Sequence, residues 1–303
     1  MQLVIDIYYV TMKKIKFFLF SMLTALFVSA CGTTQTVPIT GRKHNLLVTD
    51  QQVLSLSNQE YQKFMQSAKV STDATNTAMV KRVGQRLATA VESYLTSHGA
   101  ADEVKNFSWS FNLVQSKEAN AFCMPGGKIV VYEGLLPYTQ NEASLAIVLG
   151  HEIAHAVAKH SAEQMSKQIR QQYATQGVNI LGSVLGAGDL TNVATSIMQQ
   201  GFSFANLKYS RDDESEADHM GLVFAAMAGY DPQEAIPFWK RMSQGNNNTN
   251  DFLSDHPSDA KRIAALQQEM PEALKYYQAY QAAHTTAKKS TTSSKSRKSR
   301  RRK

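Results

Sequence analysis

Residues 145–160 read Leu145-Ala146-Ile147-Val148-Leu149-Gly150-His151-Glu152-Ile153-Ala154-His155-Ala156-Val157-Ala158-Lys159-His160. This stretch decides the fold. His151 and His155 stand four residues apart, so on a helix they share a face. Two imidazoles one turn apart can reach a single metal ion at about 2.0–2.1 Å. Glu152 lies about 100° around the helix and can touch a water on that metal without being a ligand. Zinc lowers the pKa of such a water to about 7, and a carboxylate can take its proton as it attacks a carbonyl. The residue types therefore point to amide hydrolysis at one zinc ion, with Glu152 as general base. The competing reading is a core His pair without metal. It would leave two imidazoles and a carboxyl in an apolar helix in need of partners. Leu145, Val148, Leu149, Ala156 and Val157 supply the apolar register of a helix expected over 141–169. His160 is five residues past His155, so the spacing predicts a surface histidine pointing off the metal face.

A catalytic zinc has three protein ligands as a rule. Ser210-Arg211-Asp212-Asp213-Glu214-Ser215-Glu216-Ala217-Asp218-His219 offers the third. Glu214 and Asp218 are spaced i, i+4. One can bind the metal while the other orients a ligand imidazole. Glu216 is about 200° from Glu214 and should point elsewhere. By spacing alone Glu214, Asp218 and His219 all stay candidates, against a solvated acidic face. The 58 residues between His155 and Glu214 exceed the roughly twenty of a thermolysin-type pattern.

Around these segments the pattern is mostly helical. Helices are expected over 50–70, over 74–98 (capped by Asp73 and ended by Gly99), over 212–228 and over 258–269. Asp231-Pro232-x-Glu234 opens another, with Glu234 as a capping-box acid and Pro237 as a kink. Residues 177–205 read as two loose helices with a mobile link. The period changes to two at Phe107, Trp109, Phe111 and Leu113, which marks a strand. Ala119–Met124 and Lys128–Tyr132 flank Pro125-Gly126-Gly127, a turn sequence, and read as a β-hairpin. The fold class is thus α+β and mostly helical, a zincin-type core with one small sheet beside the active-site helix.

The ends differ from the body. The chain has 303 residues, is 43% hydrophobic and carries a net charge of +7. Residues 288–303 hold nine Lys or Arg and no acid, and residues 1–30 hold three Lys and one Asp. Residues 31–287 keep 20 basic and 24 acidic residues, so their net charge is −4. A nucleic-acid role for the body loses its support. Met12-Lys13-Lys14-Ile15-Lys16, then Phe17 to Val28, then Ser29-Ala30-Cys31 have the order of a lipoprotein signal peptide. Residues 1–30 would be removed and Cys31 would carry lipid, followed by a tether over 31–45. Gly32 favours the outer membrane in the commonest sorting rule. A peptidase domain is expected over 46–283 and a disordered basic tail over 284–303.

Five stretches in order carry a resemblance. They are Pro38-Ile39-Thr40-Gly41-Arg42, Asn120 to Gly127, the His151–Ser161 helix, Arg211 to Asp218, and His256-Pro257 with Arg262. Together they resemble the zinc metallopeptidase family of HtpX and the CAAX prenyl endopeptidases, in its periplasmic lipoprotein branch. The resemblance implies one zinc ion held by His151, His155 and Glu214, with Asp218 orienting a ligand. It places His256 near the metal, as an oxyanion donor or as an occupant of the open position in a resting state. It makes the strand at Asn120, Ala121 and Phe122 an edge on which an extended peptide can add. Cys123 reads as a small buried hydrophobe. The implied activity is a membrane-anchored zinc metalloendopeptidase acting on misfolded or misassembled envelope proteins, with no nucleic acid as partner. The alternative is a latent or weakly proteolytic periplasmic chaperone for outer-membrane proteins.

Overall fold

The computed structural model describes residues 32–176, 187–244, 256 and 260–300. The signal sequence, Cys31 and residues 177–186 of the glycine-rich stretch lie outside the described residues.

Strands β1 (Thr33–Thr36) and β2 (Lys43–Leu46) form an antiparallel hairpin. Helix α1 (Asp50–Ser67) starts at a Thr49–Gln52 capping box. Helix α2 (Ala74–Ser97) starts where Asp73 accepts from Asn76 N, and Gly99 follows its end at φ +79°. Three strands come next: β3 (Ser110–Val114), β4 (Ala121–Met124) and β5 (Lys128–Tyr132). Their order is β3-β5-β4, with β3 parallel and β4 antiparallel to β5. The expected hairpin is therefore present, and β4 is an edge strand. The first strand is shorter than its alternation suggests. Phe107 and Trp109 precede it and stack on each other at 4.6 Å.

The period of two divides the sheet between two apolar cores. Phe111, Leu113, Ala121, Cys123, Ile129 and Val131 face the main core. Val114, Phe122, Met124 and Val130 face a second core under β2 and α1. The main core holds α3 (Glu142–Val157), the helix of the metal motif. The second holds α4 (His160–Gln176) and α5 (Ala187–Gln199). Helices α6 (Arg211–Met227), α7 (Ala235–Gln244) and α8 (Ala260–Arg300) complete the main core.

Five expectations change. The helix expected over 141–169 is two helices, broken at Lys159, a non-glycine residue at φ +58°. Lys159 Nζ pairs with Asp50 and Glu103, each at 2.8 Å, and these partners hold the break. Pro237 makes no kink. It sits in the first turn of α7, where its missing N–H has no intrahelical partner to lose. Glu234 is not a capping-box acid; it accepts from Asn141 and Ser144 at the start of α3. The stretch read as a tether is the β1–β2 hairpin, docked on the body through Arg42, which pairs with Glu163 and Glu216. The helix expected over 258–269 runs on to Arg300 through Pro271, and its backbone stays helical across the basic stretch.

Candidate metal centre

Glycines set the distance between the two helices that carry the site. A Cβ on Gly150 would lie 2.6 Å from Gly221 O, and one on Gly221 would lie 2.6 Å from His151 N. Backbone therefore meets backbone where α3 crosses α6. Residue 150 is next to His151, and residue 221 is one turn past Asp218. The Ser210–Asp213 capping box fixes the start of α6, so Glu214 and Asp218 face α3.

His151, Glu152, His155, Glu214 and Asp218 are all buried. His151 Nε2 and His155 Nε2 are 3.1 Å apart. Glu214 reaches both, with Oε2 3.5 Å from His151 Nε2 and Oε1 3.3 Å from His155 Nε2. His256 joins them. Its Nδ1 lies 3.1 Å from His151 Nε2 and 3.0 Å from each Glu214 oxygen. One ligand atom from each of these four residues falls within 4.8 Å of the others.

Asp218 does not join that set. Its Oδ1 accepts from His151 Nδ1 at 2.9 Å, which leaves the lone pair on Nε2, toward the cluster. Arg262 Nη2 donates to the same oxygen at 2.6 Å, and its guanidinium stacks 3.5 Å over Trp239. Arg262 Nη1 also donates to His256 O at 3.2 Å, so one arginine ties the His256 backbone to α6. His219, which spacing left open as a ligand, pairs with Glu272 away from the cluster.

The electrostatics match a cation site. Burial opposes the Glu214 charge, yet His256, His151 and His155 hold its carboxyl well below the usual range. Burial would lower His151, but Asp218 and Glu214 hold it up at about 9. His155 is pushed well down, by burial first. Burial also raises Glu152, against the pull of His256 and His151. Glu152 Oε1 is buried without a hydrogen bond among the described residues, and His256 Nε2 lies 3.5 Å from it. The Cys123 backbone also favours the charged carboxylate, as a smaller influence.

His160 is the main correction. It is fully buried, not at the surface. The break at Lys159 swings it back, so its Nδ1 meets His155 Nδ1 at 2.8 Å and its Nε2 meets Glu216 at 2.9 Å. Extrapolating one straight helix hid this contact. Tyr209 was also missed. It stacks on His155 at 4.0 Å and 15°, and no local pattern marks it. Cys123 is buried as expected, its thiol pushed well up by burial and Glu152.

Two imidazoles and a carboxylate, with an orphaned carboxylate oxygen beside them, form a donor set that suits zinc. The peptidase family M48 model matches residues 74–270. The chain belongs to peptidase family M48. Zinc is the metal of M48 enzymes, and these residues fit it. The chain is 38% identical over 192 residues to a mitochondrial metalloendopeptidase OMA1 of Arabidopsis thaliana, covering 62% of this chain and 38% of that one. It is 31% identical over 246 residues to the human mitochondrial metalloendopeptidase OMA1, covering 78% and 46%. It is 28% identical over 243 residues to the beta-barrel assembly-enhancing protease of Escherichia coli, covering 77% and 46%. The chain spans half or less of the length of these M48 relatives.

Proposed function

We propose that this M48 chain is a zinc endopeptidase in which His151, His155 and Glu214 hold the metal and Glu152 is the general base. The observation that carries this reading is the meeting of three buried donors beside a buried Glu152 oxygen that, among the described residues, has no hydrogen bond. Zinc, when bound, supplies a Lewis acid and an activated water. The chain's own residues do the rest. Glu152 takes a proton at Oε1, and burial, which raises its carboxyl, makes it a better base. Asp218 keeps the His151 ring turned with Nε2 inward.

Edge strand β4 supports the reading as a place for an extended peptide. Tyr132 N donates to Asn120 O, so Ala121 and Cys123 turn their backbone groups to the outer edge. The Phe122 side chain packs edge-on to Phe64 at 5.3 Å, in the second core. Of Asn120, Ala121 and Phe122, it is Ala121 that turns its backbone outward, while Asn120 and Phe122 hold the strand to β5; pairing along this edge is backbone pairing, which tolerates many sequences. Such tolerance suits misfolded or misassembled envelope proteins as substrates. A lipid on Cys31 would hold the enzyme at a bacterial envelope membrane, facing the periplasm from the outer membrane. The likeness to a bacterial beta-barrel assembly-enhancing protease supports that placement. Among the described residues no helix is long and apolar enough to cross a membrane.

One observation favours a second reading. His256 occupies the middle of the donor set, where it can fill the position a substrate needs. A latent enzyme that binds unfolded outer-membrane proteins more often than it cuts them fits that contact.

The test is bound zinc and casein cleavage by the full chain in detergent, compared with Glu152→Gln. Zinc near one per chain in both, with cleavage in the wild type alone, supports the endopeptidase. Absence of zinc from both sinks it.

A further inference from the structure

The Pro38–Arg42 turn precedes the metal motif by more than a hundred residues, yet its side chains connect to the candidate metal centre through Glu216. Glu216 Oε2 accepts from Arg42 Nε at 2.7 Å and from His160 Nε2 at 2.9 Å. Glu216 Oε1 accepts from Thr40 Oγ1. His160 spends its Nε2 proton on Glu216, so its Nδ1 is a lone pair. That lone pair accepts from His155 Nδ1 at 2.8 Å. His155 then carries its proton on Nδ1 and turns a free Nε2 toward Glu214 and His151. His155, His160 and Glu216 are all buried, so water does not compete for these contacts.

The turn itself is built to hold its shape. Ile39 is a β-branched residue at φ +69°, a costly conformation kept only where surroundings enforce it. Val37 N donates to Arg42 O and Gly41 N to Val37 O, which closes the loop. Ile39 packs on the main core, and Val37 is buried within it. The turn is thus seated from both sides, with Thr40 and Arg42 aimed at one carboxylate.

We propose that the Pro38–Arg42 turn positions the His155 imidazole for the metal through Glu216 and His160. His151 gets its orientation from Asp218 directly, and His155 gets the same orientation from a carboxylate one imidazole further away. This inference rests on His155 being a zinc ligand. His160, Glu216, Thr40 and Arg42 are positioning residues.

The test is zinc affinity of the full chain in detergent, by competition with a chromogenic chelator, beside the melting temperature of each zinc-free protein. His160→Phe is expected to weaken zinc binding about tenfold or more. Arg42→Met and Glu216→Gln are expected to weaken it several-fold, and to add nothing further in the His160→Phe background. His160→Asn keeps an acceptor for His155 and a donor for Glu216, and should recover part of the loss. Glu163→Gln breaks the other Arg42 pair and should leave zinc affinity within about twofold. Effects that add in the double variants, or that track the melting temperature alone, overturn the proposal. Unchanged affinity in His160→Phe does the same. If His160→Phe does not fold, Arg42→Met with His160→Asn carries the comparison. A wild type that binds no zinc overturns the metal-site reading itself. Zinc in the wild type with unmoved variants overturns only this inference.

Discussion

His256 Nδ1 stands 3.0 Å from both carboxylate oxygens of Glu214. One histidine therefore lies against the third candidate ligand and within 3.5 Å of the candidate base. An oxyanion donor needs to stand beside the ligand set, whereas this one stands inside it. His256→Ala is expected to raise casein cleavage several-fold and to weaken zinc binding. A hundredfold loss of cleavage with unchanged zinc would instead make His256 an oxyanion donor.

Glu152→Gln removes the base and keeps the side-chain volume. Cleavage is expected to fall by about 10²–10⁴-fold, while bound zinc stays near one per chain. Zinc analysis of the purified variant separates this from a collapsed site. Loss of zinc together with activity would mean that Glu152 is a ligand.

The α3–α6 crossing leaves no room for a methyl group. Gly150→Ala and Gly221→Ala each put a Cβ 2.6 Å from backbone. Each is expected to cost about 1–3 kcal/mol in denaturant unfolding, since backbone cannot rotate away as a side chain can. Gly221→Ala pushes on His151 N and should also weaken zinc binding. A midpoint equal to wild type in either variant would mean that the helices part more easily than their packing suggests.

The hairpin brings a pH dependence. His44 first, and then Arg42 against the cost of burial, hold Glu163 down at about 2 from an ordinary 4.5. Burial opposes Glu216, but His160, Thr40 and Arg42 hold it at about 2 as well. The unfolded chain takes these protons first as pH falls. Both pairs therefore stabilise the protein fully above about pH 4.5, and lose that contribution as pH falls toward about 2. Unfolding midpoints measured at pH 6 and pH 3.5 should differ less in Glu163→Gln than in the wild type. Equal differences would mean that Glu163 carries no folded-state shift.

Much of the site was legible because helical spacing carries it. His151, Glu152 and His155 sit within five residues, so local geometry alone places them. Glu214 and Asp218 also share a face by spacing, and their order of roles came from the family resemblance. The β4–β5 hairpin was legible because Pro125-Gly126-Gly127 is a turn in any context. His160 and Glu216 were misjudged or set aside. Their contacts depend on a helix break at Lys159, a position whose left-handed backbone is held by Asp50 and Glu103 from distant segments. The hairpin over residues 33–46 was read as a tether because Thr-rich sequence is as soluble as it is strand-forming.

The sequence by itself determined which residues can make the chemistry: two imidazoles and a carboxylate on one helix, and an acidic block that offers another donor. Spacing along a helix is a local property, and local hydrogen bonds enforce it wherever the helix lies. Only the tertiary structure decided which acid faces which histidine, because that depends on Gly150 meeting Gly221 and on the turn at Lys159. It also decided that Thr40 and Arg42, more than a hundred residues before the metal motif, connect to His155 through Glu216 and His160. Long-range packing chooses among partners that are equivalent in sequence, since burial penalises every polar group left without one.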